Sequence, residues 1–573
     1  MKSIGQIAGL RLPRRLMARL AASTVDPPGL AWQPPPPLPG DQARGIHLAH
    51  GIFLFDGHLI EAAEQNPWDI PAPSQGWADA LHGHRWLRHA AALQDTKMRA
   101  KLLDWVWSWL DRYELGTGAG WAPDVTARRM TYWIAHAPEL LEGRSSEQVA
   151  RFFRALGVQM RFVEWRWLDA PHGLGRIEAL AGLVYAMLSL EGAGLGLDRA
   201  IADLGQEAEA AIDPDGAVPS RNPEVLAQIL SVLIWSQHSI EQAGRQAATG
   251  HSQTITRALP VLQALRHPSG ALPRFHGAGA LIESKTAINT DLEDVARLSA
   301  RDAPMGYRVM QEGDALLIAD AAPAPSDPDA VTAHASPLAL EFAFGTQPIF
   351  VNCGTGKGCG PEAERASRRA AAHTMIEIAG QCPATEVMSP DSQWELTLEG
   401  PVTARTSRDD EASWFLGESA HYLSKFGVHV ERRLKLLRSG WRLEGEDTAL
   451  ATAADKRRQA TALFGSRQEK MAARFHLHPS VQPSMALNGR AVSLKLPDGS
   501  LWMFVSDSEV LSLQPSLYHD PSRPKPRATS QIVASSTILD YWGRITWSLE
   551  RLLEGDTPLH RRIQRASLIN QTR

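Results

Sequence analysis

The chain has 573 residues, a formal net charge of −4 at pH 7, 44% hydrophobic and 21% charged residues. These values indicate a soluble globular protein of about two to four domains. The near-balanced charge gives no sign of a nucleic-acid partner. The three cysteines lack metal-ligand spacing and predict neither a disulfide framework nor a zinc knuckle.

Residues 1–75 are predicted to be an extended and amphipathic segment. Basic residues from Lys2 to Arg19 are not followed by the uninterrupted apolar core of a cleavable signal peptide. The Pro34–Pro37 run favours polyproline conformation and ends any preceding helix. The sequence contains no run of about 18 apolar residues, so no integral membrane segment is predicted. Without a recognisable export signal, this N-terminus favours a cytoplasmic location.

Residues 76–300 have the apolar period of helices. Helical passages are predicted near residues 146–168, 174–190, 196–211, 223–243 and 252–265, separated by glycine and proline. Sequential helices with short connections predict an α/α array, either a toroid or a solenoid. The absence of a fixed-period repeat favours the closed toroid.

Residues 301–573 alternate apolar and polar side chains with a period of two, and turn residues interrupt them often. This pattern predicts an antiparallel β-sandwich. One hairpin is expected between Leu338 and Val351, turning at Gly345-Thr346, and a further strand is expected to open at His373. His476 and His478, two residues apart on a later strand, are predicted to share a face that is exposed to solvent.

Three strand ends of the predicted sandwich carry polar side chains. His334 lies just before the hairpin, Asn352 follows its second strand, and His373 opens the next strand. Two imidazoles and an amide could therefore meet at one rim of a sheet. They would form a shared polar or metal site, or the two histidines would only hydrogen-bond each other or the backbone.

The order of helices and then sheets, together with three motifs, resembles the heparinase II/III family of polysaccharide lyases. The motifs are the stretch from His334 to His373, the passage Asp215-Gly216 with Ser220-Arg221-Asn222-Pro223, and the turn Pro171-His172-Gly173. The resemblance covers most of the chain from about residue 45. It implies an α+β protein in which an N-terminal α/α toroid is followed by a C-terminal antiparallel β-sandwich.

The resemblance implies a carbon–oxygen lyase that cleaves an anionic, uronate-containing polysaccharide by β-elimination. A base removes the proton α to the carboxylate, neutral groups or imidazoles neutralise that carboxylate, and an acid assists the leaving sugar. His172 and Arg221 or Asn222 would neutralise the carboxylate, and His334 would be the base. Tyr422, chosen only for its place shortly before a strand, would be the acid.

The same residues have structural alternatives. His172 is equally placed to cap the following helix, and Ser220 or Asn222 to cap the helix that begins at Pro223. Arg128 and Arg129 share a helix face with His136 and would either bind the polysaccharide or form structural salt bridges.

A structural zinc ion is a further implication of the resemblance. Its ligands would be His334, Asn352 and His373. Asn352 stands where the family has an aspartate, and an amide in place of a carboxylate weakens the binding of Zn²⁺.

The chain departs from the family motifs at three further positions. Pro171 replaces the asparagine of the turn, Val225 falls at the position of a tyrosine, and Thr332 falls at the first histidine of the family's histidine run. These departures support an alternative function, a catalytically degenerate glycan-binding protein on the same scaffold. A third reading, a glycoside hydrolase, would use Glu164 and Asp169 as carboxylates about 5–10 Å apart.

The location of the protein is open at this stage. The resemblance implies the periplasm or cell envelope, against the cytoplasmic location that the N-terminus favours. The oligomeric state does not follow from the sequence.

Overall fold

The computed structural model describes residues 16, 20, 21, 27–279 and 304–552, except residues 64, 119, 327, 390–393, 466–468 and 524. Most of the predicted basic N-terminal segment lies outside the described residues. The predicted domain boundary near residue 300 also lies outside them. None of the described helices is both long and apolar enough to cross a membrane.

The N-terminal part is a succession of helices with one small hairpin between the first helix and the second. The helices are α1 (Gln42–Ala49), α2 (Gln75–His82), α3 (Leu87–Ala91), α4 (Thr96–Tyr113), α5 (Pro123–Ala135), α6 (Ala137–Leu141), α7 (Ser146–Arg166), α8 (Leu174–Ser189), α9 (Leu197–Ala211), α10 (Pro223–Gln242) and α11 (Thr249–Ala264); the hairpin is β1 (Ile52–Phe55) with β2 (His58–Glu61). The five helices whose bounds the sequence predicts are α7 to α11. Their predicted bounds agree closely, and the largest difference is the earlier start of α11.

Side-chain caps explain where several of these helices begin. Ser145 and Gln148 form a capping box at α7, in which each side chain bonds the backbone amide of the other. Asp95 accepts hydrogen bonds from two amides at the start of α4. Asn222 does the same at α10, where Pro223 occupies the first turn. The predicted role of Asn222 as a helix cap is therefore confirmed.

Tryptophan dominates the core of the helical part. The fully buried members are Trp77, Trp86, Trp109, Trp121 and Trp133. The ring centres of Trp109 and Trp133 lie 5.4 Å apart, edge to face, which is a favourable aromatic geometry. Phe53 of β1 and Trp68 belong to the same cluster. The described residues before position 76 thus pack as part of the helical core.

The C-terminal part consists of antiparallel strands in two large sheets and one small hairpin. The strands are β3 (Tyr307–Glu312), β4 (Ala315–Asp320), β5 (Leu340–Phe344), β6 (Gln347–Val351), β7 (Ile376–Ile378), β8 (Thr385–Met388), β9 (Trp394–Thr397), β10 (Val402–Arg408), β11 (Ala412–Ser419), β12 (His429–Leu437), β13 (Arg442–Leu450), β14 (Lys470–Leu477), β15 (Gln482–Ala486), β16 (Ala491–Lys495), β17 (Leu501–Ser506), β18 (Val510–Tyr518), β19 (Arg527–Thr537) and β20 (Trp542–Leu552). Short helices α12 (Pro361–Ser367), α13 (Leu423–Phe426) and α14 (Ala454–Phe464) connect some of them.

The two large sheets face each other as a sandwich. One has the strand order β10-β11-β12-β13-β20-β17-β16-β15, and the other has the order β18-β19-β14-β6-β5-β4-β3 with β7 also paired to β14. Their facing side chains form one hydrophobic cluster. Tyr307, Leu316, Ile318 and Met375 belong instead to the cluster of the helical part. The second sheet is therefore covered on both faces from the C-terminal half of β14 to β4, whereas its edge strand β18 is partly exposed.

The architecture is an N-terminal α/α toroid followed by a C-terminal antiparallel β-sandwich, as the sequence predicts. The predicted hairpin is β5–β6, and its turn is at Gly345-Thr346 as expected. The strand expected from His373 begins at Ile376, after a short 3-10 turn at residues 370–372. The toroid and the sandwich meet along the second sheet, and this junction holds the candidate site.

Candidate functional site

A cleft of about 710 Å³ opens where the toroid meets the sandwich. The toroid contributes the β1–β2 hairpin, one face of α1, α5 and α8, and the first turn of α10. The sandwich contributes the loops before β5 and after β6. At one side of the cleft the backbones of the two parts approach closely. A Cβ added to Gly57 would lie 2.4 Å from the Cα of Gly358.

The floor of the cleft is built around Gly277. Its backbone N–H donates to Nε2 of His334 at 2.9 Å. A Cβ on Gly277 would lie 3.2 Å from Cβ of Thr332 and 3.4 Å from Nδ2 of Asn222. The φ of +87° at this position also favours glycine. Asn222, Thr332 and His334, which come from distant parts of the chain, are thereby brought together.

Asn222 is the predicted substrate-binding residue at the centre of this floor. Its Oδ1 accepts from the amides of Glu224 at 2.9 Å and Val225 at 3.4 Å, which satisfies the start of α10. Its Nδ2 has no acceptor among the described residues and remains able to donate to a ligand. Val225, on the same helical turn, also lines the cleft.

Arg128 lines the cleft as predicted and forms an ion-pair cluster there. Glu178 of α8 binds Arg128 through Oε2 and Arg85 through Oε1, the latter at 3.1 Å. Burial raises the pKa of Glu178, but the two guanidiniums outweigh it and hold the pKa below its ordinary value. Asp124, one turn before Arg128, lies 3.9 Å from its guanidinium.

Sequence reasoning missed Arg85 and Glu178. A signal for Glu178 was present, because it is the one acidic residue in the mostly apolar helix α8. No comparable signal marks Arg85, which lies in the turn between α2 and α3. His47 and His89, at the α1 side of the cleft, were missed as well.

Arg129 is buried and does not contact the cleft, so its predicted role in substrate binding is wrong. Its Nε donates to Oε1 of Gln159 at 2.8 Å, and its Nη1 donates to the carbonyls of His82 and Gly120 at 3.0 and 2.7 Å. The guanidinium lies 4.0 Å from the ring centre of Trp109. Arg129 is a structural residue of the toroid core.

Arg221 is also a structural residue, and its predicted contact with substrate is wrong. Its guanidinium donates to Oδ1 of Asp320 at 2.5 Å and to the carbonyls of Met305 and Ala322 at 3.0 and 3.1 Å. Burial raises the pKa of Asp320, but Arg221 and His276 outweigh it and hold this pKa well below its ordinary value. Arg221 therefore connects the toroid to the first strands of the sandwich.

Tyr422 does not reach the cleft, so its predicted role as the acid is wrong. It is 2% exposed, it packs in the sandwich core, and its hydroxyl donates to the carbonyl of Gln381 at 2.8 Å. Burial raises its pKa well above the ordinary value. Glu164 and Asp169 pair with Arg161 and Arg166 and are not among the residues that line the cleft.

His172 lies in the exposed turn before α8 and is likewise not among the lining residues. Its predicted part in neutralising a carboxylate finds no geometric support here and stays a prediction. The residue after the turn, Leu174, does line the cleft.

The three residues predicted to hold zinc do lie close together. The rings of His334 and His373 are 4.8 Å apart, centre to centre. Asn352, however, accepts from the amide of Thr374 at 2.9 Å through Oδ1 and donates from Nδ2 to Glu341 at 3.2 Å. Both ends of its amide are thus occupied, and Nε2 of His334 is occupied by Gly277. Nδ1 of His334 and both ring nitrogens of His373 have no hydrogen-bond partner among the described residues. The predicted zinc site therefore has two imidazoles and a third member that is engaged by Thr374 and Glu341, and it stays a prediction.

His476 is buried, and the prediction that it faces solvent is wrong. It lies on the C-terminal half of β14, where the sheet is covered on both faces. Its Nδ1 is 2.7 Å from Oγ of Ser516 and 3.5 Å from Sγ of Cys353. Burial lowers the pKa of His476 to about 3. The imidazoles of His373 and His476 are both neutral at pH 7 and belong to the interior.

Comparison with known proteins agrees with this architecture. Residues 296–548 match the family model described as "Heparinase II/III-like, C-terminal". The C-terminal part of the chain is therefore similar to this family. The whole chain has the fold of a solved lyase: the TM-score is 0.58 at 13% identity to a mutant of heparan sulfate lyase HepC from Pedobacter heparinus, and the match covers 95% of this chain and 89% of that one.

Two further relatives complete the comparison. A crystal structure of heparinase III gives a TM-score of 0.59 at 12% identity and covers 85% of this chain and 79% of that one. FtsZ-localized protein C of Caulobacter vibrioides (strain NA1000 / CB15N) is 27% identical over 545 residues, which are 93% of this chain and 92% of that protein. The chain is thus similar over nearly its full length to lyase structures and to a protein named for its localisation with FtsZ.

Two positions of the cleft that the family resemblance assigns to proton-transfer groups carry other residues. Val225 and Thr332, at the positions that the family resemblance assigns to a tyrosine and a histidine, both line it. Valine transfers no proton, and a threonine hydroxyl is no base near pH 7. Burial lowers the pKa of His334 well below its ordinary value. A base of low pKa removes a carbon-bound proton poorly.

Proposed function

We propose that this protein is a non-catalytic, sugar-binding member of the polysaccharide lyase scaffold. The observation that carries the proposal is the presence of Val225 and Thr332 in the cleft. An elimination needs a base and an acid that face the same sugar ring. None of the described residues that line the cleft is a tyrosine.

The shape and chemistry of the cleft support sugar binding. Its volume is within the range of small-molecule sites, and its lining combines an apolar hairpin with fixed polar groups. Nδ2 of Asn222 and the Arg85–Glu178–Arg128 cluster supply donors and acceptors at defined positions. This combination binds the apolar face and the hydroxyl groups of a sugar at the same time.

We also propose that the protein is localised with FtsZ in the cell. The support is the relative whose name states this localisation and which matches almost the whole chain. A binding protein is compatible with such a role because it needs no turnover. Co-expression of a fluorescent fusion of this protein with labelled FtsZ tests this proposal. A diffuse signal that does not co-localise with FtsZ would contradict it.

The first experiment asks whether the protein cleaves a polysaccharide. Purified protein is incubated with heparan-type, alginate-type and bacterial exopolysaccharides while absorbance at about 230 nm reports the double bond that elimination creates. A heparinase III serves as the positive control. We expect no rise with this protein and binding of at least one sugar in calorimetry.

A rise in absorbance would overturn the non-catalytic proposal and restore the lyase. His47, which is exposed and lines the cleft from α1, is then the first base to replace. Absence of both absorbance change and binding across charged and uncharged sugars would remove sugar binding from the proposal.

A further inference from the structure

We infer that the cleft selects an uncharged or weakly charged sugar chain and discriminates against sulfated or polyuronate chains. This inference rests on the proposed sugar-binding function and names the class of ligand. It departs from the anionic polysaccharide that the sequence predicts. The reason is the way in which the charges of the cleft are paired.

Each basic group at the centre of the cleft has a protein partner. Arg85 and Arg128 share the carboxylate of Glu178. Nζ of Lys357 lies 3.1 Å from Oδ1 of Asp56, across the side where the hairpin touches the sandwich loop. These cations are therefore paired with carboxylates of the protein and do not form a patch of unpaired positive charge.

The guanidinium of Arg368, the basic group nearest the floor on the sandwich side, is committed to the backbone. Its Nε donates to the carbonyl of Ala333 at 2.9 Å, and its Nη2 donates to that of Ala330 at 2.7 Å. Arg368 is buried, and burial lowers its pKa. It holds the loop that carries Thr332 and His334 and is not available to a sulfate group.

Acidic side chains line the same space. Besides Glu178 and Asp56, Glu224 and Glu364 belong to the lining. A chain that carries a sulfate or carboxylate on every residue would find the basic groups at the centre of the cleft already paired with Glu178 and Asp56, and would place its own negative charges near Glu224 and Glu364. Like charges brought together across an interface oppose binding. A neutral sugar meets no such opposition.

The remaining surface suits the apolar face of a sugar ring. The hairpin contributes Ile52, Leu54, Phe55 and Leu59 to the lining of the cleft; the first three are partly buried and Leu59 is exposed. Polar contacts for the sugar come from Glu178 and from the amide of Asn222. The carboxylate of Glu178 is held in place by two guanidiniums. Hydroxyl groups can both donate to the carboxylate and accept from the amide.

The test compares matched oligosaccharides in calorimetry. The probes are uncharged hexamers of N-acetylglucosamine, glucose in β-1,4 linkage and glucose in α-1,4 linkage, a hexauronate, and a heparin hexasaccharide, each at about 20 and 150 mM NaCl. We expect at least one uncharged hexamer to bind about tenfold more tightly than either charged chain. Its affinity should be nearly unchanged by salt, because screening acts on charged ligands.

The Glu178→Gln variant sharpens the test. It leaves Arg85 and Arg128 without their shared carboxylate, so the uncharged hexamer should bind about tenfold more weakly and the hexauronate should gain salt-sensitive affinity. Glu207→Gln is the matched control, since Glu207 pairs with Arg176 of the same helix α8 at 3.5 Å and does not line the cleft. If Glu178→Gln does not fold, Asp56→Asn tests the same effect at Lys357.

Tighter, salt-sensitive binding of the hexauronate or the heparin chain to the unaltered protein would overturn the inference and leave sugar binding intact. Absence of binding by every probe would overturn both the inference and the sugar-binding proposal. A rise at about 230 nm with the hexauronate would overturn the non-catalytic proposal separately.

Discussion

The imidazole rings of His334 and His373 lie 4.8 Å apart in the interior where toroid and sandwich meet. Burial lowers the pKa of His373 to about 3, and the neighbouring imidazoles add to this effect. Burial also lowers the pKa of His334 well below its ordinary value. Both rings are therefore expected to be neutral in the folded protein near pH 7.

This relationship predicts that acid weakens the fold. Unfolding restores His373 to an ordinary pKa of about 6.5, so the unfolded chain binds one more proton than the folded chain between about pH 6.5 and 3. The free energy of unfolding therefore falls as the pH falls through this window. The contribution of one such histidine is about 1.4 kcal/mol per pH unit.

The measurement is urea unfolding at pH 7, 6 and 5. His373→Gln should reduce the dependence of unfolding free energy on pH by about 1.4 kcal/mol per unit between pH 6 and 5. His172→Gln, at an exposed histidine, should leave the dependence as it is in the unaltered protein. An unchanged slope for His373→Gln would mean that this imidazole is solvated or charged in the folded state.

The order and bounds of the elements could be predicted from the sequence because each part keeps one period over a long stretch. Helices α7 to α11 show this clearly, since glycine or proline ends most of them. The faces of those elements could not be predicted. The alternating pattern around His476 predicts a strand, which is β14. The sheet, however, has no solvent-facing side in this region, so His476 is buried.

Arg128 and Arg129 show the same limit on a helix. Helix α5 buries every residue except Asp124 and Arg128. With apolar side chains all around, the sequence holds no polar stripe from which the rotation of the helix could be read. One arginine therefore reaches the cleft and its neighbour reaches the core, and only tertiary packing decides which.

The grouping of Asn222, Thr332 and His334 could be predicted in part, because the motifs of a known family mark their positions. What the motifs could not give is the partner of each side chain. Arg221 and Tyr422 carry groups that suit catalysis, yet Asp320 and the carbonyl of Gln381 bind them in the interior. Those contacts join residues that are far apart in the sequence.

Asn352→Asp tests why the zinc trio is incomplete. The new carboxylate would face Glu341, which now accepts from Nδ2 of Asn352 at 3.2 Å. Two buried carboxylates at this distance repel each other, so we expect a loss of roughly 3 kcal/mol in the free energy of unfolding. Asn488→Asp, in an exposed turn, is the control and should change it by less than about 0.5 kcal/mol.

Addition of zinc separates two outcomes of this variant. The unaltered protein should show the same melting temperature with Zn²⁺ and with a chelator, because the amide of Asn352 is engaged by Thr374 and Glu341 and leaves the ion only two imidazoles. If Asn352→Asp regains stability with Zn²⁺, the one missing carboxylate explains the loss of the site. A zinc-dependent melting temperature in the unaltered protein would contradict our description of the trio.

The ion pair between Arg221 and Asp320 should be worth much more than an exposed pair. Arg221→Ala leaves the Asp320 carboxylate buried beside His276 and removes the donors to four carbonyls, so we expect a loss of roughly 3–5 kcal/mol. Arg433→Ala breaks surface pairs with Glu431 and Glu446 and should cost less than about 1 kcal/mol. Urea unfolding measures both, and equal losses would show that Arg221 does not hold the two domains together.

Arg128 and Arg129 offer a matched pair on one helix. Arg129→Ala removes four hydrogen bonds and the contact with Trp109 and leaves a cavity, so the free energy of unfolding should fall by roughly 3–5 kcal/mol. Arg128→Ala should cost about 1 kcal/mol, since Arg85 still holds Glu178 and the site borders solvent. Sugar affinity should respond in the opposite order, with Arg128→Ala weakening it in calorimetry. If the two variants lose stability equally, the assignment of Arg129 to the core and Arg128 to the cleft is wrong.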